Sequence, residues 1–186
     1  VTELTALKQW ILQDRCRLVT LLGIGGIGKT ALAVKVAEQV QGEFQFLIWR
    51  SLRNAPPLAK LLQETVQFLS NGAVLELPDS LDAQLACLMT YLRSSRCLLI
   101  FDNCESILRS GERAGRYCTG YEGYGELLRR VADERHESCL LLTSREKPLG
   151  IAAKESKTLP VRSLRVAGLP PVEAEKIIQD KGIVDL

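Results

Sequence analysis

The sequence predicts an α/β fold in which a parallel sheet is covered on both faces by helices. Two observations predict it. Short, wholly apolar runs alternate with stretches of helical periodicity, as expected of parallel strands buried on both sides. A glycine-rich octet, GIGGIGKT at residues 23–30, lies between the first such run and the following helix, where a parallel sheet presents its ligand edge.

The elements follow in order. Residues 3–13 put Leu4, Leu7 and Ile11 on one helical face. RLVTLL at 17–22 reads as a strand. Residues 29–40 carry Ala31, Leu32, Ala33, Val34, Val36, Ala37 and Val40, apolar on nearly every side, and predict a deeply buried helix. FQFLIWR at 44–50 is the second strand. Pro56 and Pro57 open a helix whose Leu58, Leu61, Leu62, Thr65, Val66 and Leu69 share a stripe, and Asn71 with Gly72 stops it. Asp79 or Ser80 caps another, with Leu81, Leu85, Leu88, Met89 and Leu92 in line. CLLIF at 97–101, ending at Asp102, and CLLLT at 139–143 are fully apolar strands. Residues 160–166 read as a last strand, and Pro170 with Pro171 as the opening of a last helix. Residues 105–125, rich in Gly, Arg and Tyr, fit this rhythm less well and read as a long connection with one helical turn at its start.

Composition narrows the classes. The 186 residues are 46% hydrophobic and 25% charged, within the range of one ordinary globular domain. Lys plus Arg is 24 and Asp plus Glu 22, a net charge of +2 that argues against a dedicated nucleic-acid or membrane-surface protein. No run of 18 apolar residues predicts a membrane span, and the first residues lack the order of a signal peptide. A start at Val1 rather than Met suggests a piece of a longer chain. Six cysteines contain no C-x-x-C pair, His136 is the sole histidine, and Cys97 and Cys139 open apolar runs. Zinc is disfavoured, and reduced thiols in the cytoplasm are the simplest reading.

The octet satisfies G-x-x-x-x-G-K-S/T. Glycines let successive backbone N–H groups turn inward toward phosphate oxygens, and the helix N-terminus adds partial positive charge. Lys29 is a compact cation for the β- and γ-phosphates, and the Thr30 hydroxyl a hard ligand for Mg²⁺. The same octet also reads as G-x-G-x-x-G through Gly23, Gly25 and Gly28. That dinucleotide reading needs an acid at the end of the second strand. Arg50 stands there, suited to a 2′-phosphate or simply to a strand end.

A phosphate loop also requires a later apolar strand ending in an acid, and Asp102 meets this demand as the magnesium-side carboxylate. Asn103, next to it, is no base. Glu105 is the nearby candidate for polarising water, so slow hydrolysis is expected. The strand at 139–143 continues into Ser144 and Arg145, and Arg145 either contacts a γ-phosphate or pairs with Glu146.

GIGGIGKT, FLIWRSL, LLIFDN, LLLTSRE and GLPPVEAEKII, in this order, resemble the NB-ARC nucleotide-binding domains of the STAND class of signal-transduction ATPases. The dialect is similar to bacterial, especially cyanobacterial, members. The resemblance implies a three-layer P-loop NTPase fold with a five-stranded parallel sheet flanked by helices, the P-loop strand second in spatial order. It implies ATP/ADP and Mg²⁺ as cofactors, ADP at rest, and exchange for ATP promoting opening and homo-oligomer assembly. Matched residue by residue, the nucleotide contacts fall on Gly23, Gly25, Gly26, Ile27, Gly28, Lys29, Thr30, Ala31 and Arg145. Thr30 and Asp102 hold the metal side, and Lys29, Asp102, Arg145 and Glu105 form the catalytic set, with Arg145 as the sensor arginine.

The resemblance also divides the chain into a nucleotide-binding domain, residues 1–166, and the start of a helical lid, residues 167–186, entered at Gly168-Leu169-Pro170. An adenine-holding segment ahead of the first helix, the rest of the lid, the winged-helix domain and any sensor domains would lie outside this chain and be its partners. Two other classes compete. One is a stand-alone P-loop enzyme such as a small-molecule kinase, with residues 109–125 as its acceptor loop. The other is a nucleic-acid surface built from Arg109, Arg113, Arg116, Tyr117, Tyr121 and Tyr124, which the net charge opposes.

Overall fold

The computed structural model describes residues 2–111, 115–156 and 160–167. In chain order the elements are α1 (Glu3–Lys8, continued by a π-helical turn Gln9–Gln13), β1 (Leu18–Leu22), α2 (Lys29–Val40), β2 (Phe46–Ser51), α3 (Leu58–Leu69) and α4 (Leu81–Ser94). Then come β3 (Cys97–Asp102), a 3₁₀ turn Cys104–Ile107, α5 (Glu122–Asp133), β4 (Cys139–Ser144) and β5 (Val161–Arg165). All strand pairs are parallel, in the order β2-β3-β4-β1-β5. The phosphate-loop strand β1 is therefore second from the β5 edge, as expected.

Alternation along the strands builds the three layers. Leu99 and Phe101 of β3 and Leu140 and Leu142 of β4 pack with α3, α4 and α5. Leu98, Ile100, Cys139 and Leu141, one residue out of phase, pack with α1 and α2. Burial of each such side chain contributes roughly 1.5–3 kcal/mol. The α3 stripe is buried as its spacing predicts, through Leu61, Leu62, Thr65, Val66 and Leu69. The Ser80 hydroxyl caps α4 by accepting from the Ala83 amide. Cys97 and Cys139 are buried strand residues, and all six cysteines are free.

Two expectations need correction. Helix α2 is not buried all round: Ala33, Val36, Ala37 and Val40 face the sheet, whereas Val34 is exposed. The helix belongs to an outer layer, so its opposite face meets solvent. Residues 105–125 are not one connection either, because α5 begins at Glu122. Its first turn holds Gly123 and Gly125, poor helix formers that hide the periodicity. Both are packing glycines. A Cβ on Gly123 would lie 2.9 Å from Leu58, and one on Gly125 would lie 2.7 Å from the Tyr117 ring. At the other end of α5, the Arg17 guanidinium donates to the carbonyls of Asp133 and Glu134, capping the helix C-terminus.

No described helix is long and apolar enough to cross a membrane. The expected lid start at Gly168-Leu169-Pro170, and the helix after Pro170, lie outside the described residues.

Candidate functional site

The site forms at the C-terminal edge of the sheet, where β1, β3 and β4 end side by side. Chain leaving β1 must reverse into α2 within residues 23–28, and glycines make this possible. Gly26 has φ 79° and Gly28, the residue preceding α2, φ 100°, both in the left-handed region. Among the described residues, the amides of Gly25, Gly26 and Gly28 donate no backbone hydrogen bond, so they remain available to an anion at the N-terminus of α2. Ile24 at the tip of the loop is exposed. Lys29 is buried and folds its Nζ back onto its own loop, donating to the carbonyls of Gly23 (2.8 Å) and Ile24 (3.0 Å).

Asp102 at the end of β3 is buried beside this loop. Its Oδ1 accepts from the Thr30 hydroxyl at 2.9 Å and from the Thr143 hydroxyl at 2.5 Å. Among the described residues Oδ2 receives no donor. The Thr30 hydroxyl and the Asp102 carboxylate form a hard-oxygen pair that fits Mg²⁺. Thr143 was not among the site residues expected from sequence. It also accepts from the Asn103 amide at 3.0 Å, which helps hold Asn103 at φ 64°. The polar end of the LLLTSR run was the available signal. What was missing was the β3–β4 register, which ends with Phe101 opposite Leu142 and brings Asp102 beside Thr143.

Arg145 projects from the end of β4 toward the phosphate loop. A Cβ on Gly25 would lie 2.8 Å from Arg145 Nη2, so the absence of a side chain there lets the guanidinium rest against the loop. Its ionic partner is Glu105, with Nε to Oε1 at 3.3 Å, and not the adjacent Glu146. Lys29, Thr30, Asp102, Glu105 and Arg145 thus converge on one edge, together with Gly23, Gly25, Gly26, Ile27, Gly28 and Ala31 of the loop and first turn.

Two of the alternatives lose their footing. The dinucleotide reading places the end of β2 beside β1, but here β1 pairs with β4 and β5, and β2 is the far edge strand. Arg50 instead approaches Glu64 of α3 at 4.0 Å. The tyrosines of the competing nucleic-acid surface are partly or wholly packed against the core. Tyr124 is buried, with its hydroxyl donating to the Pro56 carbonyl at 2.8 Å. Tyr121 donates to the Ala55 carbonyl at 2.7 Å, and Tyr117 packs against the core. All three are thus wholly or partly taken up in packing rather than displayed as one open surface. Arg113 lies outside the described residues.

Known proteins share this chain's family and fold. The family model for the NB-ARC domain matches residues 2–107. A WD repeat-containing protein of Nostoc sp. is 49% identical over 97% of this chain, which spans 15% of that protein's length. A protein of Mycobacterium tuberculosis named as an HTH-type transcriptional regulator is 26% identical over 80% of this chain and 14% of its own length. Among solved structures, a chain of Drosophila ORC bound to DNA superposes with TM-score 0.57 at 15% identity, over 95% of this chain and 45% of that one. That last likeness is one of fold alone.

Proposed function

This chain belongs to the NB-ARC family, a nucleotide-binding regulatory module on a P-loop NTPase fold, and from that premise we propose that it is an ATP/ADP switch within a larger signalling protein. The observation that carries the reading is the convergence of Thr30 and Asp102, 2.9 Å apart, beside the loop bearing Lys29. In this reading ADP occupies the loop at rest, exchange for ATP opens the protein and promotes self-assembly, and slow hydrolysis resets it.

The residues divide the work. Backbone amides of the loop and the N-terminus of α2 bind the phosphates. Lys29 exchanges its two loop carbonyls for phosphate oxygens. Thr30 and Asp102 would hold Mg²⁺, which supplies charge neutralisation across the phosphates when bound. Thr143 orients the Asp102 carboxylate. Arg145 responds to the γ-phosphate. Slow turnover is consistent with Asn103, which is no base, following Asp102.

The test is titration of the purified chain with ADP and ATP, with magnesium and with chelator, together with identification of any nucleotide released on denaturation. Magnesium-dependent binding of both nucleotides with little turnover supports the switch. Rapid multiple turnover by the chain alone would favour an ordinary enzyme, and binding of neither nucleotide would overturn the reading.

A further inference from the structure

The salt bridge between Glu105 and Arg145 has a placement that suggests more than surface pairing. Glu105 is mostly buried, with its side chain 16% exposed, while that of Arg145 is 61% exposed. The acid is held by its surroundings. It sits in the 3₁₀ turn Cys104–Ile107, whose Cys104 and Ile107 are anchored in the core. Burial pushes the Cys104 thiol up to about 12, consistent with an inert packing role.

The segment after that turn folds back on itself. Cys118 N donates to Ile107 O at 2.9 Å, and Arg109 N donates to Arg116 O at 2.7 Å. It then clasps the chain that carries Arg145. Leu149 N donates to Gly115 O at 2.8 Å, and a Cβ on Gly115, at φ 81°, would lie 2.2 Å from Lys147 O. One excursion of the chain therefore presents the acid and also fixes the loop bearing its arginine. Among the described residues, Glu105 Oε2 is buried with no hydrogen-bond partner.

We propose that Glu105 is a positioning residue that competes with the γ-phosphate for Arg145. The inference rests on the nucleotide-switch reading above. With a diphosphate on the loop, Arg145 stays paired with Glu105. A triphosphate brings a second anion to the same guanidinium, which then leaves the carboxylate for the γ-phosphate. Only a triphosphate has to draw Arg145 out of this ion pair, so the carboxylate, acting through the arginine, sets the threshold for ATP over ADP. No covalent step is involved. Only the ionic partner of Arg145 changes.

The experiment measures ADP and nonhydrolysable-ATP affinities, with magnesium, for the wild-type chain, Glu105→Gln, Arg145→Ala and the double variant. Circular dichroism checks each fold, and Glu105→Asp serves as a second, charge-retaining variant. Glu105→Gln is expected to raise the ATP-to-ADP affinity ratio by about tenfold, within the range of site coupling energies. Glu105→Asp should stay close to the wild-type ratio. The double variant should match Arg145→Ala, because the acid acts only through the arginine. An unchanged or lower ratio in Glu105→Gln, or a gain that persists without Arg145, overturns the proposal while leaving nucleotide binding intact. A wild-type chain that binds neither nucleotide removes the switch reading itself, and this inference with it.

Discussion

Thr30 donates its hydroxyl hydrogen to Asp102 Oδ1 across 2.9 Å, although 72 residues separate the two in sequence. The contact joins the first turn of α2 to the end of β3, and Thr143 binds the same oxygen from β4. Asp102→Asn keeps an acceptor for both hydroxyls but removes the negative charge. The expected outcome is a folded protein whose ATP binding no longer strengthens with magnesium, read by titration at varied magnesium concentration. An unaltered magnesium response would mean that another group holds the metal.

Thr143→Val separates support from charge. The variant keeps the β-branched shape in a fully buried position but removes the hydroxyl. Asp102 would lose one donor, and the Asn103 amide would lose its acceptor in a left-handed turn. A destabilisation of about 1–3 kcal/mol is expected from the stranded buried groups, measured by chemical denaturation, with weaker magnesium dependence than wild type. Wild-type stability would show that the hydroxyl contributes nothing net.

Lys29→Ala should abolish nucleotide binding and spare the fold. The two bonds from Nζ to Gly23 O and Ile24 O tie down a loop, not the core. Their loss should cost about 1–3 kcal/mol at most, against a typical domain stability of 5–15 kcal/mol. Nucleotide affinity should fall by on the order of a hundredfold or more, since charge-assisted bonds to phosphate disappear. Normal affinity with a normal circular dichroism spectrum would remove the phosphate-loop assignment.

The strands and the phosphate loop were legible because their information is local. An apolar run, a glycine turn and Lys29-Thr30 all lie within residues 17–30, and the acid of Asp102 sits at the tip of an equally plain run. The partners of those residues were not legible in the same way. That Thr143 supports Asp102, 41 residues away in sequence, depends on the register of two strands. That Glu105 rather than Glu146 holds Arg145 depends on how the chain after β3 turns back. Helix α5 was hidden for a different reason. Its early glycines serve close contacts with Leu58, Leu81 and Tyr117, so packing overrides the local propensity by which a helix is read.

Tyr124 ties α5 to the approach of α3 through its bond to Pro56 O, beside Ala55, which is held at φ 44°. Tyr124→Phe keeps the ring in the core and strands the Pro56 carbonyl. A loss of about 1 kcal/mol is expected, read as a lower denaturation midpoint with unchanged m-value. Tyr124→Ala removes the ring as well and should cost about 3–5 kcal/mol. If Tyr124→Phe matches wild type, the hydroxyl bond makes no net contribution.

His136 makes stability depend on pH through its neutral form. Its Nε2 lies 2.9 Å from the Val131 carbonyl, which can only accept, so Nε2 carries the hydrogen. The Ser138 amide donates to Nδ1 at 3.2 Å, which requires Nδ1 to be unprotonated. Adding a proton at Nδ1 would set two donors against each other. Burial, opposed by the bond to Val131, holds the folded-state pKa below the ordinary imidazole value. The unfolded chain therefore binds the proton first as pH falls. The stability tied to the neutral ring is fully present above about pH 6.5 and is lost as pH drops from there toward the depressed folded value. Chemical denaturation at pH 7.5 and pH 5.5 should show wild type losing more stability than His136→Gln, whose side chain does not titrate. The carboxylates are common to both proteins, so their contribution cancels in the comparison. Equal losses in the two proteins would show that the ring does not govern acid sensitivity.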